Sequence, residues 1–174
     1  MTTVRKYRRT DARQVAALIS KTFAQFNSRE GTRAGVRRYI EYFTPHGRPL
    51  AELHRLFSRT PFRLVAVQGT RVVGVLRARE NHLVNLFVDE DYHRQGIASR
   101  LFLRFENACR KHGFGYVTVK SSLFAVPFYQ SVGYKKTTGV RNLHGLKVQP
   151  MRKTLNQTSL RTSATQTRPR SLTH

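Results

Sequence analysis

At 174 residues, with 39% hydrophobic residues and eleven phenylalanines, the chain is sized for one domain with a real core, which excludes wholesale disorder. Charge is its odd feature: 32 Lys+Arg against 9 Asp+Glu give a net +23, a field that attracts polyanions such as nucleic acid, an acidic protein or a phosphorylated cosubstrate. No run approaches the ~20 apolar residues of a membrane span, and a single cysteine, Cys109, excludes an intramolecular disulfide and any multi-cysteine zinc site.

In chain order, MTTVRKYRRT carries a basic region with no apolar stretch behind it, so no secretory signal is expected and the chain reads as soluble and cytoplasmic. ARQVAALISKTFAQF then places Val15, Leu18, Ile19, Thr22, Phe23 and Phe26 on one helical face, with Asp11 and Gln14 spaced as a capping box. NSREGTRAG breaks the pattern. VRRYIEYF resumes it through Val36, Tyr39, Ile40 and Phe43 and stops near Pro45. PLAELHRLFSR predicts a shorter third helix with Leu50, Leu53, Leu56 and Phe57 inward.

After Pro61 the texture becomes β-branched. FRLVAV and VVGVLRAR, joined by QGTR, read as a hairpin, and HLVNLFV is so continuously apolar that it predicts a strand buried on both faces. GIASRLFLRFENACRKHG is a strong helix, with Ile97, Leu101, Phe105 and Ala108 as its stripe. Arg110, Lys111 and His112 fill its last turn and Gly113 ends it. Cys109 on the same face reads as an inert core residue. YVTVK is a fourth core strand, AVPFYQSVG a short helix, and KKTTGV and LKVQPMRKTL two antiparallel strands around NLHG. This order predicts an α/β domain over residues 1–155 with a mixed sheet at its centre. Residues 156–174 are polar and Ser/Thr-rich and predict a disordered tail. Only Arg161, Arg168 and Arg170 of the basic residues fall there, so the charge excess belongs to the folded body.

The segment VDEDYHRQGIASRLF, residues 88–102, carries the chemistry. A strand ends at Val88, a loop follows, and a helix starts at Gly96 or Ile97. The first N–H groups of a helix lack internal partners and its dipole puts about half a positive charge there. Gly96 lets an anion approach the backbone, Ala98 keeps the space beside it small, and Arg94 adds a cation, a combination suited to a pyrophosphate. At this level a glycine that merely closes a turn reads equally well. A Walker loop is excluded by the lack of GxxxxGK[ST]. GFGYVTV runs into a strand, contrary to a Rossmann turn.

His93-Arg94-Gln95-Gly96-Ile97-Ala98 resembles the [Q/R]-x-x-G-x-[G/A] signature of the GNAT superfamily of N-acetyltransferases, with His93 as the departure in its first position. SSLFAVPFYQSVGYKK, residues 121–136, is similar to the family's N-x-x-A-x-x-F/L-Y-x-x-x-G-F segment: Tyr129 falls on its tyrosine, Gly133-Tyr134 on its Gly-Phe, and Ser122 on its asparagine. The resemblance covers about residues 3–155. It implies a central mixed, mostly antiparallel sheet with a splayed strand pair, flanked by helices. It implies acetyl-CoA as cosubstrate, held at the pantetheine by the backbone of Leu86, Phe87 and Val88. Arg94, Gln95, Gly96, Ile97, Ala98 and Ser99 would hold the pyrophosphate, with Ser122 a further contact.

The implied reaction is acetyl transfer to a primary amine, on a small molecule or a protein, by direct attack in a ternary complex, with Tyr129 as the acid on the leaving thiol. A backbone N–H of the splayed strand, that of Phe87, is the candidate oxyanion donor. His82 and Glu80 are candidates for the base or a water relay, and Glu41 and Tyr42 for the lining of the acceptor cleft. The remaining histidines, His46, His54, His112, His144 and His174, show no metal-ligand spacing. The alternative reading is a nucleic-acid- or ribosome-associated protein in which the fold serves binding, suggested by the body charge and the run RKYRR, residues 5–9. A monomer or homodimer fits either reading.

Overall fold

A computed structural model describes residues 1–156; the tail expected over 156–174 otherwise lies outside the described residues. The elements are β1 (Thr2–Lys6), α1 (Ala12–Phe26), α2 (Arg33–Phe43), α3 (Leu50–Ser58), β2 (Phe62–Gln68), β3 (Arg71–Arg79), β4 (His82–Val88), α4 (Ile97–Lys111), β5 (Tyr116–Ser121), α5 (Val126–Ser131), β6 (Lys135–Lys136), β7 (Arg141–Leu143) and β8 (Leu146–Thr154). The strands form one sheet in the order β1-β2-β3-β4-β5-β8-β6, with β7 also on β8. Every pairing is antiparallel except β4 with β5. This is the mixed, mostly antiparallel architecture that the resemblance implies.

Two apolar layers hold the sheet. Leu64, Ala66, Leu76 and Ala78 pack on Leu101, Phe105, Tyr129 and Met151 on one face. Val65, Val67 and Val75 pack on Ile19, Leu53 and Phe57 of α1 and α3 on the other. The period-2 alternation of β2 sends alternate residues to the two layers, so both cores are legible in FRLVAV. Cys109 is 3% exposed in the first layer, and burial pushes its thiol up to about 11, which keeps it protonated and unreactive.

Four features depart from the sequence reading. β1 was not foreseen: TTVRK has one large apolar residue, and it forms a strand because it completes an edge on β2 from Thr2↔Gln68 to Lys6↔Leu64. Its charged side chains suit an exposed edge. The Asp11–Gln14 capping box does not form. Asp11 accepts from both Arg5 Nη atoms at 2.7 and 2.8 Å and from the Arg8 N–H at 2.7 Å, while Gln14 bridges Thr70 O and the Val72 N–H. The nearby Arg5 and Arg8 take the Asp11 carboxylate, and the distant β2–β3 turn takes Gln14, so the local cap is outcompeted.

The third departure concerns β4, which is not buried on both faces: Val84 is 43% exposed. β4 meets β5 only through His82↔Thr118 and Leu83↔Val119, then diverges, and its register on β3 shifts between Arg77 and Ala78. The splay leaves the β5-side backbone edge beyond Leu83 without a strand partner and opens the sheet above it. Of the predicted strand KKTTGV only Lys135–Lys136 forms, as β6; the chain then leaves the β8 ladder and rejoins it as β7, Arg141–Leu143, largely within the NLHG segment that reads as the turn.

Candidate active site

Two cavities lie along the splayed strand. The first, about 540 Å³, is floored by β4 and covered by α2 and the β7–β8 hairpin. The second, about 500 Å³, runs from β4 to the start of α4 and the segment before α5. Leu86, Phe87, Ser122, Ala125, Tyr129 and Asn27 line both, so the two spaces meet at that point.

The second cavity gathers Leu86, Phe87, Val88, Arg94, Gly96, Ile97, Ala98, Ser99 and Ser122. Of the residues expected there, Gln95 stays outside it, its amide donating to Asp91 O at 3.2 Å. Gly96 caps α4 at φ 70, a left-handed conformation that favours glycine, and a Cβ built on it would meet nothing within 4 Å. The turn therefore requires a glycine, as its turn-closing reading expects, and the space over it is open. Arg94 also has positive φ, 59°, and no ion-pair partner among the described residues.

Asp89 anchors the loop. It is 5% exposed, caps the following 3-10 turn by accepting from the Asp91 N–H, and pairs with Arg71 at 3.0 Å and Lys21 at 3.6 Å. Burial alone would raise its pKa, but the Asp91 N–H and these two cations together hold it below the usual carboxylate value. His93, at the position that departs from the signature, donates from Nε2 to the Val88 carbonyl at 2.9 Å and so ties the loop to the end of β4. Phe26 stacks on Phe124 at 4.8 Å along the cavity wall. Sequence reasoning missed that pair, since its members are far apart in the chain and nothing local marks them.

Tyr129 sits where the cavities meet. Its ring is held edge-on by Phe128 and Tyr134, and its hydroxyl has no hydrogen-bond partner among the described residues. Burial pushes the phenol well above its ordinary value, so it keeps its proton at every physiological pH. In the first cavity His82 holds Thr118 Oγ1 at 2.8 Å, and burial, then Lys120, lowers its pKa, leaving it neutral at pH 7. Glu80 is exposed in the β3–β4 turn at φ 51 and lines neither cavity. Tyr42 lines the first cavity, whereas Glu41 points away and faces Arg37.

Glu30, passed over inside NSREGTRAG, is the clamp of the site. Its carboxylate accepts from the Leu123 and Phe124 N–H groups at 2.9 and 2.5 Å, and its carbonyl accepts from Lys147 N. It thereby binds the α1–α2 loop to the segment carrying Tyr129 and to β8. The partners lie 93 and more residues away, a distance at which no sequence pattern operates.

A splayed strand, an open glycine turn at a helix start and a buried tyrosine between two cavities are the geometry expected of the acetyltransferase superfamily named above, and residues 28–155 match the family model for the acetyltransferase (GNAT) domain. The chain belongs to the GNAT family. Its fold resembles a GCN5-related N-acetyltransferase from Rhodopseudomonas palustris, with a TM-score of 0.73 at 21% identity over 89% of this chain and 96% of that one. It also resembles the PaiA N-acetyltransferase of Thermoplasma acidophilum, solved in complex with coenzyme A, with a TM-score of 0.67 at 20% identity over 89% and 99%. At such identities the likeness is one of fold. Human N-acetyltransferase 8 is 38% identical over 65 residues, which span 36% of this chain and 29% of that protein. No helix among the described residues is long and apolar enough to cross a membrane.

Proposed function

We propose that this GNAT protein transfers the acetyl group of acetyl-CoA to a primary amine by direct attack, the two substrates entering from the two cavities. The observation that carries the reading is the junction: Tyr129 and the Leu86–Phe87 backbone line both spaces, so a thioester in one and an amine in the other would meet there. The second cavity fits the cosubstrate chemically. Its walls offer unpaired strand edge for an amide-bearing arm, and the open Gly96 turn with Arg94 suits paired phosphates.

The reaction forms an N–C bond and breaks a C–S bond. An alkylammonium of pKa about 10.4 is neutral in about one molecule in 2,500 at pH 7, so a proton must leave it. His82, neutral and in the acceptor cavity, is the candidate base; Glu80 lies too far toward the turn to act directly. The proton on Tyr129 goes to the departing sulfur. In this apolar setting desolvation raises a thiolate's proton affinity as it does the phenol's, so a buried donor is matched to it. The Phe87 N–H on the strand edge is the candidate donor to the oxyanion.

The test is a panel of primary amines assayed for acetyl-CoA-dependent release of free thiol, with mass spectrometry of the product. A mass gain of one acetyl group on an amine, with stoichiometric thiol, is the expected result. Thiol release without an acetylated amine, or no release with any acceptor, would overturn the reading.

A further inference from the structure

The acceptor cavity has a feature that acetyl transfer by itself does not require. Arg63 and Arg77 stand directly opposite one another on β2 and β3, two like charges at a cross-strand pair, an arrangement that destabilises a sheet unless something compensates. Arg77 is 6% exposed, lies over the rings of Phe57 and Phe43 at 5.0 and 5.7 Å, and lines the acceptor cavity. Its Nη atoms donate to Asn85 Oδ1 at 2.8 Å and Thr60 Oγ1 at 2.7 Å. Both partners are neutral. Neither arginine forms an ion pair among the described residues, and Arg63 Nη1 and Arg77 Nε are buried with no acceptor. A charged group taken out of water with donors unspent is costly to bury, so each unspent donor calls for an acceptor, and a bound ligand can supply one.

The rest of the cavity agrees in sign. Arg38, Lys120 and Lys147 line it, all exposed and without ion-pair partners among the described residues. Its one carboxylate, Glu30, is committed to two backbone N–H groups. Arg77 pairs in register with Asn85, which lines the same cavity and accepts from the guanidinium.

We infer that Arg77, backed by Arg63, is an oxyanion receptor in the acceptor cavity, and that the preferred acceptor is a primary amine carrying a carboxylate or phosphate. A guanidinium presents its donors in a planar fork that matches either group. This rests on the acetyl-transfer reading and narrows its acceptor. It also excludes polyamines, which would bring a second cation against Arg77.

The test uses matched acceptors: 4-aminobutyrate, 3-aminopropyl phosphate, butylamine and 1,4-diaminobutane. Turnover is followed by thiol release from acetyl-CoA, and binding to the CoA-saturated protein by calorimetry. One or both anionic amines should exceed butylamine and the diamine at least tenfold in kcat/KM, and the stronger of the two assigns the oxyanion. Arg77→Met should bring the anionic-to-neutral ratio toward one, with the loss in KM. Arg77→Lys should recover it in part, as a cation without the fork. Equal kcat/KM for butylamine and the anionic amines in the wild-type protein overturns the inference without needing any variant. So does an Arg77→Met protein, folded by circular dichroism, whose ratio is unchanged while kcat falls for every amine, since that is what a purely structural arginine would do. If no amine is acetylated at all, the transfer reading fails. The calorimetric comparison still decides the receptor: tighter binding of an anionic amine than of butylamine sustains it, and equal binding ends it.

Discussion

Tyr129 and Gly96 show how much one residue can be asked to do here. The Tyr129 hydroxyl is unpartnered at the meeting of two cavities and keeps its proton because burial disfavours the phenolate. If it protonates the leaving sulfur, Tyr129→Phe should lower kcat by about a hundredfold, the lower range for loss of a general acid, with coenzyme A affinity by calorimetry nearly kept. Unchanged turnover removes it from the chemistry. At Gly96 two effects can be separated. Gly96→Ala adds a methyl to open space at a strained φ and should cost roughly 1–2 kcal/mol of stability by urea denaturation with modest loss of affinity. Gly96→Glu adds a like charge where phosphates would bind and should weaken coenzyme A binding by about a hundredfold, or roughly 2.7 kcal/mol. Equal binding by both variants would place the phosphates elsewhere.

At the scale of elements, the site depends on β4 leaving β5 and on the β7–β8 hairpin closing over the gap. The hairpin is docked through glycine: a Cβ on Gly35 would lie 2.8 Å from the Gly145 backbone, and the Thr32 N–H donates to Gly145 O at 2.7 Å. Gly35→Val should therefore push the hairpin off α2, at about 1–3 kcal/mol by urea denaturation, and raise the acceptor KM while coenzyme A affinity holds. At the base of the splay, His82 supplies a pH signature. Its folded pKa lies below the unfolded value of about 6.5, so between the two the unfolded chain binds more protons. The stability it contributes is complete above about pH 6.5 and is lost as pH falls toward the folded pKa. His82→Gln should flatten the wild-type fall in Tm across that window; identical profiles would mean that the imidazole is not desolvated.

Over the whole molecule, the sheet divides the protein into two cores, and they serve the site differently. The α4 layer holds in place the helix whose start lines the second cavity: Phe105 is 1% exposed and packs on Phe62 and Phe102. Phe105→Ala should cost about 3–5 kcal/mol in urea denaturation, the range for a large buried aromatic, and a value under about 1 kcal/mol would show that the layer collapses to fill the space. The α1–α3 layer supports the arginine pair through Phe43 and Phe57. The +23 charge is thus not all surface: part of it is buried beside the first cavity, where composition alone could not locate it.

What the chain reveals unaided is whatever its chemistry writes locally. Helical spacing, β-branched runs and a glycine between a strand and a helix mark α1, α4, β2 to β5 and the loop before α4, because each is decided by neighbours within a few residues. The two motifs carry the family for the same reason. Other features were settled only by folding. β1 exists through β2, Asp11 is diverted from its cap by Arg5, and Glu30 reaches Leu123 and Phe124. HLVNLFV reads as a fully buried strand, yet its apolar residues line cavities, since hydrophobicity cannot tell a protein wall from a ligand's place. The pairing of Arg63 with Arg77 is of this kind too: strand register, which is a property of the sheet and not of either strand, decides which charges share a site.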